Sequence, residues 1–195
     1  MPARTWQPPY AMHATRYAYI PMRDGVRLAC DVFRPDCDGR FPCLMVRTPY
    51  DKNGFGLKGA EPWVRQGYAL VVVDSRGTGG SEGLHTYYAL PDHPTDGADV
   101  VNWIAEQPFC DGNVGTFGGS ALGFNQILTA ARQPPALKAM YVEVAPMNLY
   151  HDNWFPGGVF HTAARVGWVE SMVNNTCPGA AVRKIDGEIS PEIGR

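Results

Sequence analysis

Residues 69–73, Ala-Leu-Val-Val-Val, form an uninterrupted apolar run closed by Asp74. Five residues are too few for a buried helix, and a run with no polar residue facing either way fits a strand covered on both sides. Strands of that kind belong to parallel sheets, whose crossover helices cover both faces. The neighbouring sequence agrees. Residues 43–46, 114–117 and 138–144 read as further short strands, and helices are expected over 61–66, from Thr95 to the stop at Pro108, and over 121–132. This alternation from Cys43 onward implies an α/β fold with a mostly parallel, doubly wound sheet of about six strands.

An antiparallel hairpin precedes it. Residues 17–21 alternate, Arg23-Asp24-Gly25 supplies a tight turn, and Val26, Leu28, Cys30 and Val32 share one face of the returning strand. The proline-bearing residues 1–16 read as a surface arm. Beyond Ala145 the character shifts: residues 148–172 are rich in Trp, Gly and His, with a helix expected over 162–172, and 177–195 show no period. The expected organisation is therefore an arm (1–16), a core (17–147), a further segment (148–176) and an irregular tail (177–195).

With 195 residues, 45% of them hydrophobic, the chain can bury one core. A formal net charge of -2 without a basic cluster excludes the electrostatic footprint of nucleic-acid or anionic-membrane binding. Small molecules are the expected partners. No apolar run follows Arg4 and none later is long enough to span a bilayer, so a cytoplasmic protein is expected. Five cysteines without a CxxC pair fit neither a zinc knuckle nor a disulfide framework, and Cys30, Cys43 and Cys110 read as core residues. No cofactor or metal is called for. The sequon Asn174-Asn175-Thr176 has no export signal to give it meaning.

Two serines compete as nucleophile. The literal GxSxG pattern falls at Gly79-Gly80-Ser81-Glu82-Gly83, but there the serine stands several residues beyond its strand and no helix follows. A nucleophile elbow needs its serine directly between strand and helix, because the sharp turn is what lifts the hydroxyl above the sheet. Ser120 meets that condition in Gly118-Gly119-Ser120-Ala121-Leu122-Gly123, although its second glycine comes one place late. Ser81 reads as a loop residue.

The blocks around Ser120 resemble a known family. Met22-Arg23-Asp24-Gly25-Val26-Arg27-Leu28, Arg47-Thr48-Pro49-Tyr50-Asp51-Lys52, Asp74-Ser75-Arg76-Gly77 with Ser81-Glu82-Gly83, and Trp103 with Cys110-Asp111-Gly112-Asn113-Val114-Gly115 lead in order to Ser120. They are similar to the Xaa-Pro dipeptidyl-peptidase-like serine hydrolases, the CocE/NonD group of cocaine esterase-like α/β-hydrolases, over about residues 17–169. The resemblance implies acyl-enzyme hydrolysis of an ester or a short peptide and, at Asn148-Leu149-Tyr150 to Phe160, that the segment 148–176 is the start of a helical cap. It assigns Ser120 as nucleophile, the Ala121 N–H as one oxyanion-hole donor and the Tyr50 hydroxyl as the other. The family usually has a tyrosine directly after the nucleophile; Ala121 keeps the backbone donor and changes a wall of the acyl pocket.

A serine also needs a base, with a carboxylate to orient it. In this fold acid and histidine follow the serine on loops after later strands. In the 75 residues after Ser120 no strand beyond 138–144 is visible to carry them. His85 and His93 precede Ser120, His151 and His161 fall in the cap-like segment, and all four read as solvated or cap histidines. The chain is therefore expected to stop early, to lack its triad acid and base, and to leave the last strand as an apolar edge open to self-association. A non-catalytic or partner-complemented hydrolase-like fragment is the alternative. A dinucleotide-binding domain built on Gly77, Gly79, Gly80 and Gly83 is remote, since the spacing is not GxGxxG and no helix follows.

Overall fold

A computed structural model describes residues 9–85 and 95–175. His93, Cys177 and the expected tail lie outside them. Six strands form one sheet: β1 (Met12–Pro21), β2 (Arg27–Pro35), β3 (Phe41–Thr48), β4 (Ala69–Asp74), β5 (Cys110–Gly119) and β6 (Leu137–Glu143). Among the described residues four α-helices accompany them: α1 (Gly56–Arg65), α2 (Asp96–Glu106), α3 (Ala121–Ala130) and α4 (Thr162–Asn175). The strand order is β1-β2-β4-β3-β5-β6. β2 runs antiparallel to β1 and β4, and all later pairings are parallel.

This order creates the site. The chain steps outward from β3 to β4, then crosses back over β3 to β5, so the order reverses at β3. Ligands of open α/β sheets bind outside the carboxyl ends of the strands at such a reversal. The loops leaving β3, β5 and β6 all emerge there.

Two apolar layers hold the sheet. One joins Leu28, Cys30, Val32, Met45, Val71 and Val73 to Val100, Val101 and Ile104 of α2; the other joins Phe33, Val46, Leu70 and Val72 to Ala60 and Val64 of α1. All six residues of β4 are buried, as the apolar run requires. α2 and α3 cross closely where Gly97 meets Thr129: a Cβ on Gly97 would stand 1.9 Å from the threonine hydroxyl. Burial pushes the Cys30 thiol up to about 12 and raises that of Cys43 as well, so both are core residues rather than reactive thiols.

Several boundaries differ from expectation. β1 begins at Met12, so part of the expected arm is strand, paired to β2 from Met12↔Pro35 onward. α1 starts at Gly56 rather than at 61, although Gly56, Gly59 and Pro62 all weaken a helix on propensity. The Phe55 ring lies against Gly59, close enough that a Cβ there would come within 2.7 Å of it, and the packing of Ala60 and Val64 on the sheet overrides the local preference. Gly67, at φ 85°, ends the helix as expected. Thr95 stands before α2 but makes no side-chain cap. Asp111-Gly112-Asn113 is not a turn before β5 but a bulge within it, where the register to β3 slips between Phe41 and Cys43.

Candidate active site

Ser120 sits where β5 gives way to α3, with φ 56° and ψ -122°. A non-glycine residue in that conformation costs on the order of 1–3 kcal/mol and survives only where its surroundings impose it. Here they do. The Ser120 N–H donates to the Glu143 carbonyl (3.0 Å) and its own carbonyl accepts from Phe124 N–H (3.0 Å). The late glycine of the motif is explained by the same packing. A Cβ on Gly118 would meet Leu122 at 2.7 Å, and one on Gly123 would meet Ala145 at 2.8 Å and the Glu143 carbonyl at 3.0 Å. Gly123 thus faces the β6 exit and Leu122 covers Gly118. The Gln126 side chain braces the turn, donating to the Gly118 (3.0 Å) and Tyr141 (3.2 Å) carbonyls and accepting from the Thr116 hydroxyl (2.9 Å).

Tyr50 arrives from the β3 exit. Its N–H donates to the Thr48 hydroxyl (3.0 Å), and the chain then passes Asp51 at φ 74° into a 3-10 turn, Lys52–Gly54. Lys52 anchors this loop. Its N–H donates to Asp74 Oδ1 (2.6 Å), while its buried ammonium lies 3.2 Å from Asp31 Oδ1 and 4.5 Å from the Tyr17 ring centre. Asp31, fully buried on β2, also pairs with Arg16 (2.6 Å) and accepts from the Tyr17 N–H (2.9 Å). Asn125 of α3 donates to the Arg47 carbonyl (3.0 Å) and joins the two sides.

A cleft of about 520 Å³ opens between these elements. Tyr50, Ser120 and Ala121 line it together, with Val144, Ala145 and Pro146 from the β6 exit and Asp152, Trp154, Arg165 and Trp168 from the segment beyond. Tyr50 and the Ser120-Ala121 pair, singled out in two separate sequence blocks, therefore line the same cleft. Tyr50 is 39% exposed.

Ser81 is excluded by its bonding. Its hydroxyl accepts from the Ala29 N–H (2.9 Å) and donates to the Asp74 carbonyl (2.7 Å), and the residue is buried. Ser81→Ala is expected to destabilise the chain by about 2 kcal/mol in urea titrations, because the buried Ala29 N–H loses its acceptor; labelling of Ser120 by a serine-directed probe should be untouched. The glycine loop around Ser81 is no phosphate cradle either. The Gly80 N–H already serves Asp74 Oδ2 (2.9 Å), and the N–H groups of Gly77 and Ser81 serve the Glu82 and Thr78 carbonyls. Arg76, missed by sequence reasoning, locks the loop to Asp96 (2.7 Å) and Asp24 (2.8 Å). Burial acts to lower its pKa, but the hydrogen bonds to Asp96 and Asp24 outweigh it and raise the pKa above its ordinary value.

The histidines stand apart. His85 is buried rather than solvated, because the loop folds back on itself: a Cβ on Gly77 would lie 2.1 Å from the His85 backbone nitrogen. His151 and His161 are exposed. Among the described residues no histidine lines the cleft.

Comparison with known proteins fits this geometry. The profile of the X-Pro dipeptidyl-peptidase (S15) family matches residues 24–186. The chain belongs to that family. The match extends past residue 169, into the stretch read as tail. Cocaine esterase of Rhodococcus sp. (strain MB1 Bresler) is 44% identical over 155 residues, covering 76% of this chain and 27% of the esterase. Among solved structures, a CocE/NonD family hydrolase of Staphylococcus aureus superposes with TM-score 0.75 at 28% identity, covering 84% of this chain and 33% of that one. An aminopeptidase from a marine sediment Thaumarchaeota archaeon does so with TM-score 0.70 at 25% identity, over 88% and 32%. The chain thus spans between a quarter and a third of the length of these relatives, and its fold is the N-terminal part of an α/β-hydrolase. No described helix is long and apolar enough to cross a membrane.

Proposed function

We propose that this chain carries the nucleophile and oxyanion half of a serine-hydrolase site acting on small esters or short peptides. The observation that supports this best is the positive-φ turn at Ser120, lining one cleft with Tyr50 and Ala121. In the proposed reaction the Ser120 oxygen attacks the substrate carbonyl and its proton passes to a base. The resulting oxyanion receives hydrogen bonds from the Ala121 N–H and the Tyr50 hydroxyl. Collapse expels the alcohol or amine, which takes the proton, and water then hydrolyses the acyl-enzyme. One preorganised donor contributes about 3 kcal/mol to such a step. The anchoring of the Tyr50 loop through Lys52 to Asp74 and Asp31 supports that role.

The similar cocaine esterase and archaeal aminopeptidase bear names from ester and amide chemistry respectively, so both bond types belong to the proposal. The test is covalent: the full chain treated with a fluorophosphonate should gain one adduct, mapped by mass spectrometry to Ser120 and lost in Ser120→Ala. An adduct on another residue, or one that survives the substitution, would refute the assignment.

A second reading draws on β6. Among the described residues β6 is paired on one side only, by β5, and Met140, Tyr141 and Val142 are exposed. Together with a cleft that no described histidine enters, this supports a hydrolase fragment whose base arrives from a complementing chain segment across that edge, or whose edge pairs with a second copy. Absence of an adduct on the chain alone, restored by such a segment, would favour this reading.

A further inference from the structure

Two charged side chains line the cleft, and they are not equivalent. Asp152 is exposed and occupied locally: its Oδ2 accepts the Asn148 N–H at 2.8 Å, closing the π-helical turn Leu149–Trp154. Arg165 is half-buried on the first turns of α4. It lines the cleft, and its guanidinium pairs with no carboxylate among the described residues. A half-buried guanidinium without a counter-charge is poorly compensated for the water it has lost. The arrangement becomes favourable when an anion enters the cleft, and a carboxylate is the match, since the planar fork takes two oxygens at once.

We propose that Arg165 is the specificity-determining residue of this cleft and selects substrates bearing a carboxylate, that is, acidic hemi-esters or peptides with an acidic group near the scissile bond. The inference rests on the Ser120 reading for the word substrate, but the anion site itself does not need the nucleophile. A cleft of about 520 Å³ is of the size that encloses one small molecule, so the carboxylate and the reacting carbonyl must belong to the same compact ligand.

The test compares monomethyl glutarate, with one free carboxylate, against dimethyl glutarate. Binding is followed by tryptophan emission, because Trp154 and Trp168 line the cleft. Titrations use the Ser120→Ala chain, which prevents turnover. The monoester is expected to bind at least about tenfold more tightly than the diester, the size of one charge-assisted hydrogen bond. Adding Arg165→Gln should bring the ratio to about one. Adding Arg165→Lys should preserve a smaller preference, since a point charge replaces the fork. Equal affinities before Arg165 is changed, or a preference that survives Arg165→Gln, would overturn the proposal. The two readings fail separately. Loss of the fluorophosphonate adduct assignment with the monoester preference intact removes the nucleophile only, whereas a correct adduct with no preference removes the anion site only.

Discussion

Asp31→Ala is expected to lower the unfolding free energy by about 3–5 kcal/mol, enough to unfold much of a marginal domain. Asp31 is fully buried and holds Arg16, Lys52 and the Tyr17 N–H together. Without it the Lys52 ammonium, 2% exposed, remains in the interior with its nearest counter-charge gone. Removing one member of a buried ion pair costs far more than replacing both, because the survivor is desolvated and unpaired. Asp31→Ala with Lys52→Met should therefore recover a good part of the loss. Urea titrations of the single and double variants measure this directly. A single-variant change below about 1 kcal/mol would show that water reaches the pair. The same residue matters to the site, since Lys52 fixes the loop that presents Tyr50.

Asp31 was not legible in the sequence, and the reason is specific. Alternation of Leu28, Cys30 and Val32 marks one apolar face of β2, which leaves Asp31 on the face that a hairpin would show to water. In the structure α1 and the β1 bulge at Tyr17 cover that face too, and Asp31 becomes the anchor of two separate segments, the β1 bulge and the Lys52 loop. Arg165 was missed for a similar reason: its partnerless state depends on how α4 sits over the cleft. β4 and the Ser120 elbow, by contrast, were legible because their signals are local. An apolar run needs only its own residues to declare burial on both faces, and a strand-Gly-Gly-Ser-helix junction specifies its own turn. Tyr50 lay between these cases. Its block resembles the family, and only the reversal of strand order at β3 brings its loop to Ser120. The bulge at Asp111-Gly112-Asn113 was read as a turn because the same residue types serve both purposes, and pairing with β3 decides between them.

Asp74 gives the sheet's carboxyl edge a pH dependence opposite to that of a salt-bridged carboxylate. Burial is the dominant cause and pushes its pKa up to about 7, against the hydrogen bonds from the Gly80 and Lys52 N–H groups, which act to lower it. Between the unfolded carboxyl pKa near 4 and a folded value near 7, the native chain holds a proton that the unfolded chain has released. The unfolded state then binds fewer protons, so stability falls as pH rises through this window and is level above it. A shift of this size is worth on the order of 4 kcal/mol. Other carboxylates bend the profile the other way: Glu82, hydrogen-bonded to Arg27, has a lowered pKa and loses stabilising charge in acid. The Asp74 contribution is therefore isolated by difference. Unfolding free energies of the parent chain and of Asp74→Asn, measured in urea at pH 4 and pH 8, should diverge, the parent losing several kcal/mol more than the variant on going to pH 8. Parallel profiles would mean that Asp74 is already ionised at pH 4, its two backbone donors outweighing burial. Because one of those donors is the Lys52 N–H, 2.6 Å away, the protonation state of Asp74 also sets how firmly the Tyr50 loop is held. Ionisation above pH 7 makes Oδ1 the stronger acceptor for that N–H, so the loop is held more firmly there even as global stability falls.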